Sequence, residues 1–485
     1  MGIIGNDWQD AQFVDGRWRA GGGGTIEVVA PATGEVLGAV SAASTTDVAD
    51  AAAGAAAAQR DWAGRSPAER AGVLRRAGQL WEQHADEISA WIVKESGSIP
   101  PKAGLEVHTA ADECFEASAL PTHPLGEVLA TNEPHWSFAR RRPSGVVTVI
   151  SPFNFPLILS IRSVAPALAL GNAVLLKPDP RTTLSGGVSL VQIFREAGLP
   201  DGVLQLVPGG SDTGEAAVIA SEVRVVSFTG STAAGREVGA AGARHLKRTH
   251  LELGGNSALV VLPGADLEKA VSAGAFGSFM HQGQICMTTG RHLVHESLVD
   301  DYVERLGVTA GHLPVGDPAT SEVALGPVID AAQLAKIDGL VQSSVAGGAR
   351  LVAGGTYEDL FYRPTVLAEV DAGTPAWREE VFGPVAPVRS FSTTEEAIAL
   401  AGENDYGLSL GILGDVGEAM KVADAVPSGI VHINEQTVAD EANAPFGGVA
   451  VSGTGSRLGG AQANIEAFTE TQWVTVRPGI APYPF

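Results

Sequence analysis

The sequence predicts an α/β protein of two or more domains, on two observations. From about Gly145 onward, short apolar runs alternate with helix-like segments, and strands alternating with helices imply a parallel sheet covered on both faces. The 485 residues, 45% hydrophobic and 18% charged, exceed what one core usually holds and do not have the composition of a disordered chain.

The elements follow in order. In the N-terminal third, "SPAER" puts Ser66 at a helix N-cap, Pro67 at the first helical position and Glu69 where a capping box needs it. The Ala-rich run Asp50–Gln59 also favours helix. The segment from about Pro121 to Arg142 does not read as an ordinary core element. "GVVTVIS" (145–151) reads as a buried strand, followed by an apolar helix from about Phe155. "AVLLK" (173–177), "VLQLV" (203–207) and "VRVVSFTG" (223–230) are the next strands. A second α/β region begins after "LELGG" (251–255), with strands in "ALVVL" (258–262), "RHLVHE" (291–296) and "GIVHIN" (429–434). "WVTV" (473–476) alternates like a strand before a proline-rich tail. A strand isolated there is expected to pair outside its own domain, which suggests an oligomer.

Composition narrows the function classes. The formal charge of 32 − 55 = −23 leaves no basic surplus for neutralising phosphates, which argues against a general nucleic-acid binder. Two cysteines cannot form a disulfide framework for this length, so a cytoplasmic setting is expected. The first residues show no secretory signal, and apolar stretches such as Leu157–Leu170 are broken by Arg162 and proline, so no membrane span is expected. The 11 histidines do not cluster with cysteines at metal-ligand spacing.

Six short stretches carry candidate chemistry. In "SPFNFP" (151–156), Asn154 follows a buried strand at the edge where open sheets bind ligands. Its amide can donate to an oxyanion, although a turn or cap is the commoner use of such a residue. In "LLKPDP", Lys177 ends a strand and can reach ribose or phosphate, or simply snorkel. "SFTGSTAAGREVG" (227–239) runs a strand through Gly230-Ser231 into a helix, which suits a pyrophosphate. Its glycine spacing is not G-x-G-x-x-G, and a Ser-capped strand–turn–helix explains it equally well. In "THLELGGNS" (249–257), Glu252 lies in an apolar strand, where burial raises its pKa toward that of a base, and two glycines permit close backbone approach. "FMHQGQICMTTGRH" (279–292) holds Cys286, whose thiolate would be the reactive form. In "EEVFGP" (379–384), Glu380 is placed to hold a ribose diol and Phe382 to flank a flat ring. Cys114, in a helical pattern, reads as a structural residue.

Taken together in order and spacing, this set closely resembles the aldehyde dehydrogenase superfamily across nearly the whole chain. It comprises Asn154, Lys177, Gly230-Ser231, Glu252-Leu-Gly-Gly, Gly283-Gln-Ile-Cys286, Glu380-x-Phe-Gly-Pro, "PFGG" (445–448) and "SGTG" (452–455), with 34 residues from Glu252 to Cys286. The resemblance implies a Rossmann-like dinucleotide-binding domain from 1–121 and 143–252, and an α/β catalytic domain over 253–445. It also implies a small bridging β-sheet from 122–142 and 446–485, and a homodimer or homotetramer. The implied mechanism has Cys286 attacking an aldehyde carbon, with Asn154 and the Cys286 backbone N–H holding the oxyanion. Hydride loss to a nicotinamide gives a thioester, and Glu252 activates the water that hydrolyses it. Lys177, Ser231, Gly230, Glu380, Phe382, Pro152 and Arg181 fall to the cofactor. NAD-preferring members often carry a glutamate three residues after the lysine. Here that position is Pro180, between Asp179 and Arg181. NAD is the first expectation, and NADP is left open because Arg181 is placed to attract a 2′-phosphate.

Within the superfamily the chain is most similar to benzaldehyde and vanillin dehydrogenases, in "FNFPLILSIRSVAPALALGNAVLLKPDPRT", "FMHQGQICMTTGRH" and "HINEQTVADEANAPFGG". Helical spacing predicts Ile158, Ile161 and Arg162 on the same face as Asn154. Phe155, Ile285 and Met287 flank catalytic positions and are candidates for an aromatic slot, with core packing as the alternative. Arg162 is a lone cation in an apolar helix, expected to meet a ring hydroxyl or a carboxylate. Ala450, where relatives often have Gly, is expected to cost no function. The rivals are an aliphatic semialdehyde dehydrogenase and a non-redox thiol esterase or structural protein on the same fold.

Overall fold

The computed structural model describes residues 2–485. Two seven-stranded sheets organise the chain. In the first, the spatial order is Arg248–Glu252, Val223–Thr229, Val146–Ile150, Ala173–Lys177, Leu204–Leu206, Gln12–Val14, Arg17–Arg19. The first five are parallel, and the two N-terminal strands close one edge antiparallel. From Val146–Ile150 the chain steps outward one way through two strands, then returns and steps out the other way. The switch point lies between Val146–Ile150 and Val223–Thr229. Open parallel sheets form their ligand crevice at the carboxyl ends of strands flanking such a point. The loops leaving those ends carry Asn154 and Gly230-Ser231.

The second sheet runs Arg350–Ala353, Thr365–Ala368, Val385–Phe391, Thr289–His295, Ser257–Val261, Ser409–Leu413, Ile430–Ile433, all parallel but the first. Glu252 is the last residue of a first-sheet strand, and Leu253–Asn256 carries the chain into the second sheet. Ser257 is in register with Thr289, three residues past Cys286. The base candidate and the cysteine loop therefore meet where the sheets face each other.

A small antiparallel sheet joins Thr469–Val476, Trp136–Pro143 and Gly126–Val128. Its last strand, expected to pair outside its own domain, pairs in full with Trp136–Pro143 of the same chain and leaves one edge free. The segment 121–142 that resembled no core element supplies its partners. The chain's first 41 residues hold four short strands, not foreseen because they are brief and lie at edges. The capping box at Ser66 is present, with Ser66 Oγ accepting from the Glu69 N–H. No helix among the described residues is long and apolar enough to cross a membrane.

Candidate active site

Cys286 is partly exposed at the inner end of a cavity of about 690 Å³. The loop before it contains two consecutive left-handed residues, His281 (φ 47°) and Gln282 (φ 57°), then Gly283 (φ 66°). Gln282 fixes this bend by donating from Nε2 to the carbonyls of Gly97 (2.9 Å) and Pro327 (2.8 Å). The glycines around the site are there for closeness. A Cβ added at Gly254 would lie 2.3 Å from Glu380 Oε2, one at Gly255 2.4 Å from the Cys286 carbonyl, and one at Gly283 2.1 Å from the Gly383 carbonyl. The Glu252, Cys286 and Glu380 segments thus pack backbone to backbone, which no side chain would permit.

Asn154 is buried, and its Nδ2 donates to the Gln284 carbonyl at 2.8 Å. An amide nitrogen has two N–H donors. One ties Asn154 to the cysteine loop and the other is left without a protein partner, in a residue that lines the cavity. Glu252 is 4% exposed, and neither carboxyl oxygen has a hydrogen-bond partner. Burial pushes its pKa up to about 8, opposed by the Arg457 guanidinium. Burial, with the charges of Glu380 and Glu252, pushes the Cys286 thiol up to about 12. The resting nucleophile is a thiol, so attack needs a proton acceptor, and Glu252 can serve once its carboxylate forms, at a pH of about 8 and above.

On the other side of Cys286 lie the groups expected to hold a dinucleotide. Lys177 ends its strand, buried, and forms no ion pair among the described residues. Burial lowers its pKa. The Glu380 carboxylate accepts the Gly255 N–H at 2.9 Å, and burial raises its pKa to about 7. Ser231 caps the helix Thr232–Arg244, its Oγ accepting the Ala234 N–H at 3.3 Å. The Gly230 N–H donates to the Glu252 carbonyl at 3.0 Å, which links the helix start to the base. Pro152 is half-buried in the loop between Ile150 and Asn154. Phe382 (φ 53°) sits edge-on to Phe153 at 5.9 Å. Arg181 is not a free cation. Its guanidinium stacks on Phe153 at 4.3 Å and pairs with Asp179 (2.8 Å) and Asp330 (2.6 Å). Two carboxylates already occupy the charge that was to attract a 2′-phosphate.

The cavity wall corrects one helical phase. Phe155, Ile158, Leu159 and Arg162 line the cavity, whereas Ile161 is wholly buried in the core of the first sheet. The helix is Pro156–Ala169, so Asn154 lies outside it and cannot set its phase. Counted from Phe155, the lining positions are i, i+3, i+4 and i+7, one helical face. Ile285 and Met287 line the cavity too, packed with Leu408 and Phe446. Arg162 Nε donates to Glu113 at 3.0 Å and Nη2 to Asp440 at 2.5 Å. Its Nη1 is buried without a partner, and its guanidinium lies 4.9 Å from the Phe446 ring centroid. Segment 430–446 supplies much of the remaining wall, including Val438, Asp440 and Phe446. A larger groove of about 850 Å³ between helices Leu267–Phe279 and Val299–His312 contains no cysteine or paired base.

Comparison with known proteins agrees with this geometry. The aldehyde dehydrogenase family model matches residues 18–474. A vanillin dehydrogenase from an Amycolatopsis species is 63% identical over 486 residues, covering 100% of both chains. An NAD(+) benzaldehyde dehydrogenase from Pseudomonas putida is 44% identical, covering 96% of each chain. The solved structure of a salicylaldehyde dehydrogenase from Pseudomonas putida G7, complexed with salicylaldehyde, superposes with a TM-score of 0.94 at 35% identity, covering 98% of this chain and 99% of that one.

Proposed function

The chain belongs to the aldehyde dehydrogenase family, and on that premise we propose that it oxidises aromatic aldehydes of the benzaldehyde and vanillin type to carboxylic acids with NAD. The observation that carries the substrate class is the cavity at Cys286. Phe155, Ile158, Met287 and Phe446 give it an apolar face, and Arg162, whose Nη1 is buried without a partner, lines it together with Thr109, His432, Gln436 and Asp440. An apolar face with a few polar groups among the lining fits a flat ring carrying oxygen substituents. The vanillin, benzaldehyde and salicylaldehyde enzymes it resembles are named for aldehydes on a benzene ring.

The residues present fit a dinucleotide. Lys177 and Glu380 suit ribose hydroxyls, the Ser231 helix start suits phosphate, and the bare backbone at Gly254 lets the Glu380 carboxylate lie against it. Bound NAD supplies the hydride acceptor. The chain does the rest. The Cys286 sulfur attacks the carbonyl carbon as its proton leaves for Glu252, and the alkoxide formed accepts a hydrogen bond from the second Asn154 N–H. Loss of hydride leaves a thioester on Cys286. Glu252 releases the Cys286 proton to solvent, then takes a proton from the attacking water and passes it to the departing sulfur, which frees the acid and restores the thiol. The pairing of Arg181 with Asp179 and Asp330 favours NAD over NADP.

The division into a cofactor domain (1–121 and 143–252), a catalytic domain (253–445) and bridging segments is part of the same proposal, as is a homodimer or homotetramer. The open edge of the Thr469–Val476 strand and the exposed Trp136 and Trp473 beside it support assembly. Two free cysteines suit the cytoplasm.

The test is a panel of aromatic and aliphatic aldehydes assayed with NAD and NADP. Aromatic substrates are expected to exceed aliphatic semialdehydes in kcat/KM by about tenfold or more, with NAD preferred. Arg162→Lys, which keeps the charge and loses the fork, is expected to narrow the preference for vanillin over benzaldehyde. Equal efficiency on aliphatic semialdehydes overturns the aromatic reading.

A further inference from the structure

Behind Asn154, away from the cavity, lies a buried ion pair that neither the reaction nor the cofactor uses. Lys102 and Glu106 are one turn apart on the helix Pro100–Ala119, with side chains wholly inaccessible. Lys102 Nζ donates to Glu106 Oε1 at 2.5 Å and to the Asn154 backbone carbonyl at 2.6 Å. The other Glu106 oxygen accepts the N–H groups of Leu157 (3.0 Å) and Ile158 (3.4 Å). Those two N–H groups open the helix Pro156–Ala169, whose N-cap residue, Phe155, offers no side-chain cap. Glu106 therefore caps this helix from another helix and places a negative charge where the exposed N–H groups favour one. The ammonium also sits 4.1 Å from the Phe155 ring centroid, and His281 of the cysteine loop meets that ring edge-on at 5.6 Å.

We propose that Lys102 and Glu106 are positioning residues that clamp the peptide on both sides of Phe155 and so hold the Asn154 amide at the oxyanion. The pair grips a carbonyl at 154 and N–H groups at 157 and 158. Between these anchors the chain has little freedom to rotate Asn154 away from Gln284. A buried pair is a poor source of stability compared with apolar packing of the same volume. Its positioning of a polar backbone is something apolar side chains could not do. This inference rests on the oxyanion role proposed for Asn154.

The experiment compares Lys102→Met, Asn154→Ala and the double variant on one aromatic aldehyde with NAD, measuring kcat, both KM values and Tm. Asn154→Ala is expected to lower kcat by roughly 10²–10³-fold. Lys102→Met is expected to lower kcat by about tenfold or more, since small misplacements of catalytic groups carry such losses, with both KM values changed less than about threefold. In the double variant kcat should equal that of Asn154→Ala, because a clamp has nothing left to hold. Losses that multiply, or a parent-like kcat in Lys102→Met, overturn the clamp. Should Lys102→Met not fold, Lys102→Met with Glu106→Met removes both charges together and replaces it. A fallen kcat with parent-like KM values then supports the clamp, and a parent-like kcat overturns it. Full activity in Asn154→Ala instead overturns the oxyanion role itself, and the two failures are distinguishable.

Discussion

The two cysteines occupy regions that make opposite use of burial. Cys114 lies in mid-helix in the first-sheet core, wholly inaccessible, among Leu74, Trp81, Val107 and Ala111. Cys286 lies on a loop bent through left-handed residues at the end of a cavity. Burial raises the pKa of both thiols. Acidity therefore does not distinguish them. What distinguishes them is access and a nearby group able to take a proton. Cys286 has a cavity before it and Glu252, itself raised to about 8, close enough to act on its charge.

The largest expected effect tests that contrast directly. Cys286→Ser should lower kcat by at least about 10³-fold, a loss on the scale of removing a nucleophile. Cys114→Ser should leave kcat within about twofold and show itself as lost thermal stability, because a hydroxyl replaces a packed thiol. Iodoacetamide should inactivate the native enzyme through Cys286 alone, read by peptide mass, with Cys114 labelled only after denaturation. Labelling of native Cys114 would break the comparison.

The next effect sharpens the part played by Glu252. Activity should rise with pH through a midpoint near 8, where the carboxylate forms. Glu252→Gln should abolish that limb and lower kcat by about 10²–10⁴-fold. The sign of the stability effect is opposite to that of activity. The folded protein holds the Glu252 proton up to pH of about 8, while the unfolded chain releases it near the ordinary glutamate value of 4.5. Stability from this group is whole below 4.5 and declines as pH rises to 8. Glu252→Gln should therefore match its parent in Tm at pH 4 and exceed it at pH 8.

How much of this could be read from the sequence follows the range of the interactions. The strand Ala173–Lys177 was legible to the residue, because four consecutive apolar residues ending in a lysine between turn signals leave little choice. Asn154, Glu252 and Cys286 were legible as a set through family spacing. The partners of Arg162 were not, since Glu113 and Asp440 lie 49 and 278 residues away and no local pattern links them. Nothing in the sequence marks Lys102 and Glu106 beyond an i,i+4 spacing common on helix surfaces; the packing of their helix buries them. The face of the helix Pro156–Ala169 was misphased by counting from a residue outside it, which hid Leu159 and promoted Ile161.

The smallest expected effect concerns Ala450, and it separates function from stability in a region far simpler than either cysteine's. Ala450 is exposed in a two-residue strand paired with Tyr406–Gly407, and its φ is 53°. A left-handed backbone costs an alanine roughly 1–2 kcal/mol that glycine avoids. Glycine gives back about 0.4–1 kcal/mol through the freedom it adds to the unfolded chain. The difference favours Ala450→Gly by about 0.5–1 kcal/mol, or an increase in Tm of about 1–3 °C. The methyl group lines none of the cavity at Cys286, so kcat and the aldehyde KM should stay within error of the parent. A drop in kcat would mean that the turn at 449–450 acts on the catalytic residues through the neighbouring bridge of Glu252 with Gly453. That route would connect the quietest substitution in the chain to its base.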